Sequence, residues 1–336
     1  MKDNTKKAIR WGIMGTGWIA EQFAADLSYV RNGEGAAVGS RTRDSAEQFA
    51  AKFNIPRAYG SYEELANDPE IDAIYVATPH PFHRDNVITA LRGGKAVLCE
   101  KPITVNSREL EEIVDLAKEK GLFLMEAMWT RFLPPIVQVR TWLEEGRIGE
   151  IRLVKAEFGF RSDWNPSGRL LNPELGGGAL LDAGIYPLSF ASMIFGSNPE
   201  KVWSTAHVGV TGVDEQFSIL LDYGQGRTAS LHGAIRLDLT NEAYIYGTEG
   251  SIHIPSFLNA KTATLQVKGR EAETVTDDRE AVGYAFEAEE VGRCLLAGET
   301  ESAAITLAES LGIMRLLDQV RSQWGVKYPF EAGSEQ

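Results

Sequence analysis

Two short segments hold side chains that together can move a proton. Cys99-Glu100-Lys101-Pro102 follows the apolar run Ala96–Cys99. It sets an ammonium group where the chain must turn, because Pro102 restricts the backbone around Lys101. The segment Gly176-Gly177-Gly178-Ala179-Leu180-Leu181-Asp182-Ala183-Gly184-Ile185-Tyr186-Pro187 places a phenol four residues after a carboxylate. In a helix those two side chains share a face. A lysine can lower the pKa of a nearby hydroxyl or donate to a substrate oxygen. The glycines ahead of Asp182 allow close approach to a ligand. Each segment also has a plainer reading: a surface lysine before a turn, and a glycine-led helix that buries Tyr186 in the core.

A third segment supplies a phosphate cradle. Ile13-Met14-Gly15-Thr16-Gly17-Trp18-Ile19-Ala20 is a G-x-G-x-x-A turn. Gly15 permits a tight turn, Gly17 lets backbone approach a pyrophosphate, and Ala20 allows helix and strand to pack closely. Thr16, Trp18 and Ile19 lie in the turn and at the helix start, whose free N–H groups attract phosphate. This order implies a nicotinamide dinucleotide. Enzymes selective for NAD usually carry an acid at the end of the second strand. Here that place reads Gly39-Ser40-Arg41-Thr42-Arg43, with Asp44 late in the loop. Arg41 can pair with a 2′-phosphate and Ser40 can hydrogen-bond it. NADP is therefore expected over NAD, unless Arg41 is simply a solvated surface residue.

The elements that must position these segments follow from periodicity. Strands are expected at Ala8–Met14, Ala36–Ser40, near Ala58, at Ala73–Ala77, Ala96–Cys99 and Leu122–Met125. Helices are expected at Trp18–Tyr29, Ser45–Phe53, Tyr62–Asn67, Phe82–Arg92 and from Asn106 or Ser107 to Lys120. This alternation predicts a parallel, doubly wound α/β sheet of Rossmann type. The character changes near Trp129–Pro135. A helix from Pro134 to Glu144 precedes strand-like runs at Ile151–Phe160, Val202–Val210, Gln216–Tyr223, Thr228–Leu237 and Ala243–Tyr246. In Thr228–Leu237, the residues Ala229, Leu231, Gly233, Ile235 and Leu237 face one way, and Thr228, Ser230, His232 and Arg236 the other. Tyr223-Gly224-Gln225-Gly226 reads as a hairpin turn. Helices follow at Tyr284–Ala297 and Ser302–Trp324, and 331–336 read as a frayed tail. The reading is a Rossmann domain over 1–127 and an α+β domain over 128–336 with a large, mostly antiparallel sheet, for substrate binding and oligomerisation.

Composition narrows the function. The chain has 336 residues, 43% hydrophobic and 24% charged, with a formal net charge of −13. An acidic surface argues against nucleic acid and against an anionic membrane as partners. No run reaches the roughly 18 uninterrupted apolar residues of a membrane helix. The first ten residues are polar and basic and do not read as a signal peptide. Cys99 and Cys294 form neither a metal motif nor a disulfide framework. A reduced, cytoplasmic location and no metal are expected.

In sum of order and spacing, the sequence resembles the Gfo/Idh/MocA oxidoreductases over nearly its whole length. The marks are Gly15-Thr16-Gly17, Ala77-Thr78-Pro79-His80-Pro81-Phe82-His83, Gly94-Lys95-Ala96-Val97-Leu98-Cys99-Glu100-Lys101-Pro102 and Gly176–Gly184. Within that family, Met125–Phe132 and Asp182–Tyr186 look most like the branch of dimeric dihydrodiol dehydrogenase and NADP-dependent D-xylose dehydrogenase. The resemblance implies that Lys101 and Tyr186 form the catalytic pair, with Asp182 beside them. It places Thr78, His80, His83 and Glu100 around the nicotinamide end of the cofactor. Trp129, Arg131 and Phe158 would line or support the substrate pocket, although Trp129 reads equally as a core aromatic, and His80 or His83 as a helix cap. Many cyclic-polyol members carry His where this chain has Tyr186, and Asp or His where it has Ser189. That departure favours a tyrosine acid/base acting on an aldose or dihydrodiol. The resemblance also implies a homodimer or homotetramer, with the free face of the antiparallel sheet as the pairing surface. Two other readings stay open: a non-catalytic NAD(P)-binding sensor, and an NAD-dependent glycosidase.

Overall fold

The computed structural model describes residues 8–331. Of the expected tail at 331–336, Glu331 is ordered and pairs with Arg321 at 2.7 Å, which corrects the reading there; 332–336 lie outside the described residues. The chain forms two compact units. The first comprises Met1–Thr104, Arg108–Trp129 and Arg279–Ser310; the second comprises Val105–Ser107, Thr130–Asp278 and Leu311–Gln336. The segment Arg279–Ser310 thus packs with the first unit, whereas a division at 127/128 would assign it to the second.

In the first unit, β1 (Ile9–Met14), β2 (Gly33–Gly39), β3 (Arg57–Tyr59), β4 (Ala73–Val76), β5 (Ala96–Glu100) and β6 (Leu124–Ala127) form one sheet in the order β3-β2-β1-β4-β5-β6. Every pair is parallel. The strand order reverses between β1 and β4, the switch point at which such sheets bind ligands. The connecting helices are α1 (Trp18–Asp26), α2 (Arg43–Phe53), α3 (Tyr62–Ala66), α4 (His83–Arg92) and α5 (Ser107–Lys120). Their ends follow from local chemistry. Thr42 caps α2 by accepting the N–H of Ser45, and Asn54 ends it in the left-handed region at φ 55°. Ser61 caps α3 by accepting the N–H of Glu64 at 3.1 Å. On α5 the buried residues are Leu110, Ile113, Val114 and Ala117, the 3-4-7 spacing of one apolar stripe. Beneath the sheet Phe23 stacks on Tyr75 at 3.8 Å and meets Trp11 edge-on at 5.4 Å. Side chains of this size contribute about 1.5–3 kcal/mol each when fully buried.

One acid fixes the late segment of this unit. The carboxylate of Asp26, 3% exposed, accepts the N–H groups of Val282, Gly283, Tyr284 and Ala285. These are the orphan donors at the start of α8 (Tyr284–Ala297). Nothing in the local pattern around Asp26 signals a partner so distant in sequence.

In the second unit, eight strands form one sheet: β7 (Ile151–Gly159), β8 (Lys201–Val208), β9 (Asp214–Asp222), β10 (Thr228–Ala234), β11 (Ala243–Gly247), β12 (Gly250–Ile254), β13 (Thr262–Val267) and β14 (Glu273–Thr276). Their order is β14-β13-β12-β11-β7-β10-β9-β8. All pairs are antiparallel except β10 with β7, where Thr228 pairs with Leu153 in parallel. The sheet is therefore mixed. The β9–β10 hairpin turns through Gly224, Gln225 and Gly226, all at positive φ. On β10, Ala229, Leu231 and Gly233 are buried as the alternation requires. Leu237 is 45% exposed, because the strand stops at Ala234 before its period can carry that far. Helices α6 (Pro134–Glu144) and α7 (Ile185–Phe195) also belong to this unit, while α9 runs over Leu307–Trp324. The stretch Pro173–Phe195 is long and apolar enough to cross a bilayer, yet 83% of its apolar window is buried inside the protein.

Candidate active site

The switch point of the first unit is built as the sequence requires. Gly15 leaves β1 at φ +114°, a conformation side chains rarely adopt, and a Cβ there would lie 2.9 Å from the carbonyl oxygen of Ala77. Its N–H donates to the carbonyl of Gly39 at 2.9 Å, which ties the turn to the end of β2. At Gly17, by contrast, an added Cβ would meet nothing within 4 Å. Gly17 precedes α1, so the space above it lies at a helix N-terminus with unpaired N–H groups. An open cradle of backbone donors is what a pyrophosphate needs, and these residues fit a dinucleotide. Trp18, 69% exposed, flanks the opening. Ser40 is buried after β2, its hydroxyl 3.4 Å from that of Thr16. Arg41 follows, exposed, close enough to Tyr62 to act on it electrostatically.

Lys101 leaves the carboxyl end of β5 and is half-buried. The Lys101–Pro102 peptide is cis. Glu100, just before it, is buried; its carboxylate accepts the phenolic hydrogen of Tyr75 and the N–H of Lys101, the latter at 3.1 Å. Burial pushes Glu100 up to about 7, against the opposing pull of Tyr75 and of the Lys101 charge. A second buried acid faces it from α8. Glu287 is fully buried, neither carboxyl oxygen has a hydrogen-bond partner, and burial, Glu100 and Asp26 push it well above the usual carboxylate range. Two such acids cannot both ionise cheaply, so the pair titrates as a unit. Glu126, on β6, accepts the N–H of Ile103 at 3.1 Å and the hydroxyl of Ser310 at 2.7 Å, which braces the backbone just past Pro102. Sequence reasoning missed Tyr75, Glu126 and Glu287, whose apolar neighbours gave them no distinct pattern.

The two histidines differ. His83 is fully buried, with Nε2 2.6 Å from the carbonyl of Thr78 and Nδ1 2.9 Å from that of Pro102. It braces the loops after β4 and β5, and burial lowers its pKa although both carbonyls favour the cation. His80 is half-exposed, 5.7 Å from the His83 ring. The Thr78 hydroxyl accepts from Asn86 at 2.8 Å. Cys99 is buried, its thiol pushed well up by burial. Trp129, 3% exposed, packs against Tyr284 at 5.0 Å.

In the second unit Tyr186 is 6% exposed and meets Phe158 edge-on at 5.6 Å. Asp182 lies in a π-helical turn, Leu180–Gly184, that leads directly into α7. Such turns widen the helix and recur at functional sites. The turn is held by Asp214, which accepts the N–H of Leu180 at 2.6 Å and is pushed up to about 7 by burial. The glycines before it serve the protein itself. A Cβ at Gly177 would lie 2.7 Å from the carbonyl oxygen of Leu170, and one at Gly178 (φ +120°) would collide with Asp214. Their close approach is to neighbouring chain, which corrects the expectation of a ligand there. Asp182 pairs with Arg169 at 2.6 Å, a partner the sequence did not reveal. Arg131 is buried and donates to the hydroxyl of Ser189 at 3.0 Å and to its carbonyl at 2.7 Å. It ties the segment before α6 to α7 and engages the hydroxyl of Ser189. Among the described residues, no group of three or more His, Cys, Asp or Glu could hold a metal ion.

Comparison with known proteins agrees with both units. Residues 9–128 match the family described as "Oxidoreductase family, NAD-binding Rossmann fold", and residues 136–253 match the "GFO/IDH/MocA C-terminal domain". The chain belongs to the Gfo/Idh/MocA oxidoreductase family. It is 43% identical over 332 residues to the trans-1,2-dihydrobenzene-1,2-diol dehydrogenase of Xenopus laevis, covering 96% of this chain and 100% of that protein. Against the mouse enzyme of the same name the identity is 42% over 339 residues, covering 96% and 98%. Among solved structures, a 3-ketoreductase from Actinomadura kijaniata in complex with NADP and TDP-benzene superposes with a TM-score of 0.83 at 30% identity, covering 94% and 98%. This Gfo/Idh/MocA protein is thus an oxidoreductase with a nicotinamide-dinucleotide domain, and the sensor and glycosidase readings lose their ground.

Proposed function

We propose that this enzyme oxidises a trans-dihydrodiol or an aldose with NADP, using Tyr186 as the acid/base and Lys101 as its charged partner. The observation that carries the reading is the 40–43% identity to dihydrodiol dehydrogenases over nearly the whole length, in a chain that carries Lys101, Asp182 and Tyr186. When bound, the nicotinamide ring supplies the hydride acceptor. The protein's own part is the proton. Free tyrosine has a pKa near 10 and is a poor base at neutral pH. An ammonium within about 4–6 Å favours tyrosinate by roughly one to three units. Tyr186 then takes the hydroxyl proton as hydride leaves the same carbon. For a dihydrodiol the resulting ketone tautomerises to a catechol; for a cyclic aldose the product is a lactone. Acid–base help of this kind is worth about 10²–10⁴-fold. Glu100 supports Lys101 by accepting its backbone N–H, and His83 steadies the adjoining turn.

Tyr186→Phe and Lys101→Met test this directly. Turnover of NADP with a dihydrodiol and aldose panel should vanish in both, while NADP binding by fluorescence survives. A near-normal kcat in either variant removes that residue from the mechanism. The reading extends to assembly: Trp203 on β8 and Leu220 on β9 are cross-strand partners, 51% and 43% exposed, apolar side chains that pairing of two copies would cover. A monomer by light scattering at micromolar concentration contradicts that part.

A further inference from the structure

The glycine loop ahead of the π-helical turn is gripped by residues far along the chain. After α9 a bend at Gly325 (φ +70°) returns the chain to the second unit, where Tyr328 is 2% exposed. The short helix Pro173–Leu175 lies against Pro329–Glu331. The Tyr328 phenol donates to the carbonyl of Gly177 at 2.7 Å. A buried hydroxyl needs an acceptor, and a buried carbonyl needs a donor. The peptide that carries this carbonyl is held on its other edge too: the N–H of Gly178 donates to the carbonyl of Leu170 at 2.9 Å. One peptide plane is therefore fixed on both edges. The next carbonyl, that of Gly178, accepts the N–H of Asp182 at 3.3 Å. It opens the turn Leu180–Gly184 that leads into α7 and Tyr186.

Tyr328 is itself locked. The Arg321 guanidinium lies over its ring, 4.7 Å from the centroid, and Arg321 is 7% exposed. Two bonds join Arg321 to Glu331, Nη1 to Oε2 at 2.7 Å and Nη2 to Oε1 at 2.8 Å. Glu331 also accepts the N–H of Tyr328 at 3.0 Å. A planar fork stacked on a ring fixes direction as well as distance. Phenylalanine would fill the same space, so the hydroxyl alone carries the link to the loop. A small displacement of the turn matters to a group that must meet a reacting proton within hydrogen-bond reach. We propose that Tyr328, locked by Arg321 and Glu331, is a positioning residue for the acid/base: its hydroxyl sets the Gly177–Gly178 peptide and, through the turn that follows, the placement of the Tyr186 phenol. This rests on the reading of Tyr186 as the acid/base. The effect is carried by backbone, so it falls on the chemical step and spares binding.

The experiment is Tyr328→Phe in the full chain, assayed with NADP and two probes, trans-1,2-dihydrobenzene-1,2-diol and D-xylose. Losing one hydrogen bond from the frame should lower kcat by about three- to tenfold. KM for the better probe and the Kd for NADP should stay within about twofold of the wild type's. Hydrogen exchange followed by mass spectrometry should quicken at amides 178–186 and stay unchanged in β1–β6. Arg321→Lys keeps the charge and leaves the Tyr328 hydroxyl in place but loses the fork. It should give the same pattern at smaller size, and it keeps the test open should the phenylalanine variant fold poorly. A kcat and an exchange pattern equal to the wild type's in both variants overturn the inference. So does a fall in kcat matched by equal rises in KM and in the Kd for NADP, the mark of a merely structural loss. Quickened exchange at 178–186 in a protein whose Tyr186→Phe variant stays active overturns it through the acid/base reading. Unchanged exchange with Tyr186→Phe inactive removes Tyr328 and leaves that reading intact.

Discussion

Asp26, at the end of α1, accepts the N–H of Gly283 at 2.7 Å, joining two points 257 residues apart in the chain. The same carboxylate caps the start of α8, and α8 in turn presents Glu287 to Glu100 at the end of the strand that leads into Lys101. Removing Asp26 leaves several buried N–H groups without a partner. Asp26→Ala should cost about 2–4 kcal/mol, the sum of a lost cap and unsatisfied donors. Asp26→Asn, which keeps one acceptor oxygen, should cost less. Urea denaturation measures both; midpoints equal to the wild type's would show that α8 is held by its apolar face alone.

A second prediction concerns pH and Glu287. Its folded-state pKa lies well above the unfolded value near 4.3, so the folded protein keeps a proton that the unfolded chain releases. Stability is therefore lost as pH rises from about 4 toward the folded pKa, by at most about 1.4 kcal/mol per pH unit. Glutamine stays neutral throughout, and Glu100 is present in both proteins. The melting temperature of Glu287→Gln relative to wild type should accordingly climb between pH 5 and pH 8. A difference that stays flat across that range would mean that Glu287 ionises in the fold as readily as in water.

These two acids also mark where the sequence stops being readable. The cradle Gly15–Gly17 was legible because its glycines sit between a strand and a helix whose periods are local. The bounds of α6 and α8 were legible for the same reason: Pro134 opens one helix and Gly298 closes the other. The strands β12, β13 and β14 were not, since each is short and shows polar residues such as His253, Thr264 and Thr274 on its outer side. Parallel pairing of β10 with β7 was hidden too, because alternation assigns a face and says nothing of direction. Buried polar partners were the least legible of all. Asp26 with α8, Arg131 with Ser189 and Arg169 with Asp182 join residues that only the completed fold brings together.

Cofactor choice should turn on the end of β2. No acid follows Gly39; Ser40 is buried beside Thr16, and Arg41 is exposed. Arg41→Ala should lower kcat/KM with NADP by about 10–100-fold, the loss of one or two charge-assisted bonds to the 2′-phosphate, and change NAD activity by less than about threefold. Ser40→Asp, which restores an acid for the ribose hydroxyls, should shift preference toward NAD. Steady-state kinetics with both cofactors decide it: equal losses on NADP and NAD would make Arg41 a general surface charge.

The glycine turn yields the sharpest contrast, because two residues of one motif should fail in opposite ways. Gly15 sits at φ +114° with the Ala77 carbonyl 2.9 Å from where a Cβ would be, so Gly15→Ala must displace backbone. Strain of that kind costs on the order of 1–3 kcal/mol, and its melting temperature should fall. Gly17 has an ordinary φ of −79° and open space around its missing side chain. Gly17→Val should therefore fold with a melting temperature near the wild type's, yet project its methyl groups where a pyrophosphate must approach the helix N-terminus. Its Kd for NADP should rise by at least about tenfold, since the blocked contacts are hydrogen bonds to a charged group. Calorimetric titration of NADP into both variants separates the effects. Undiminished binding by Gly17→Val would place the phosphates elsewhere, and with them the whole assignment of the switch point between β1 and β4 as the cofactor's seat.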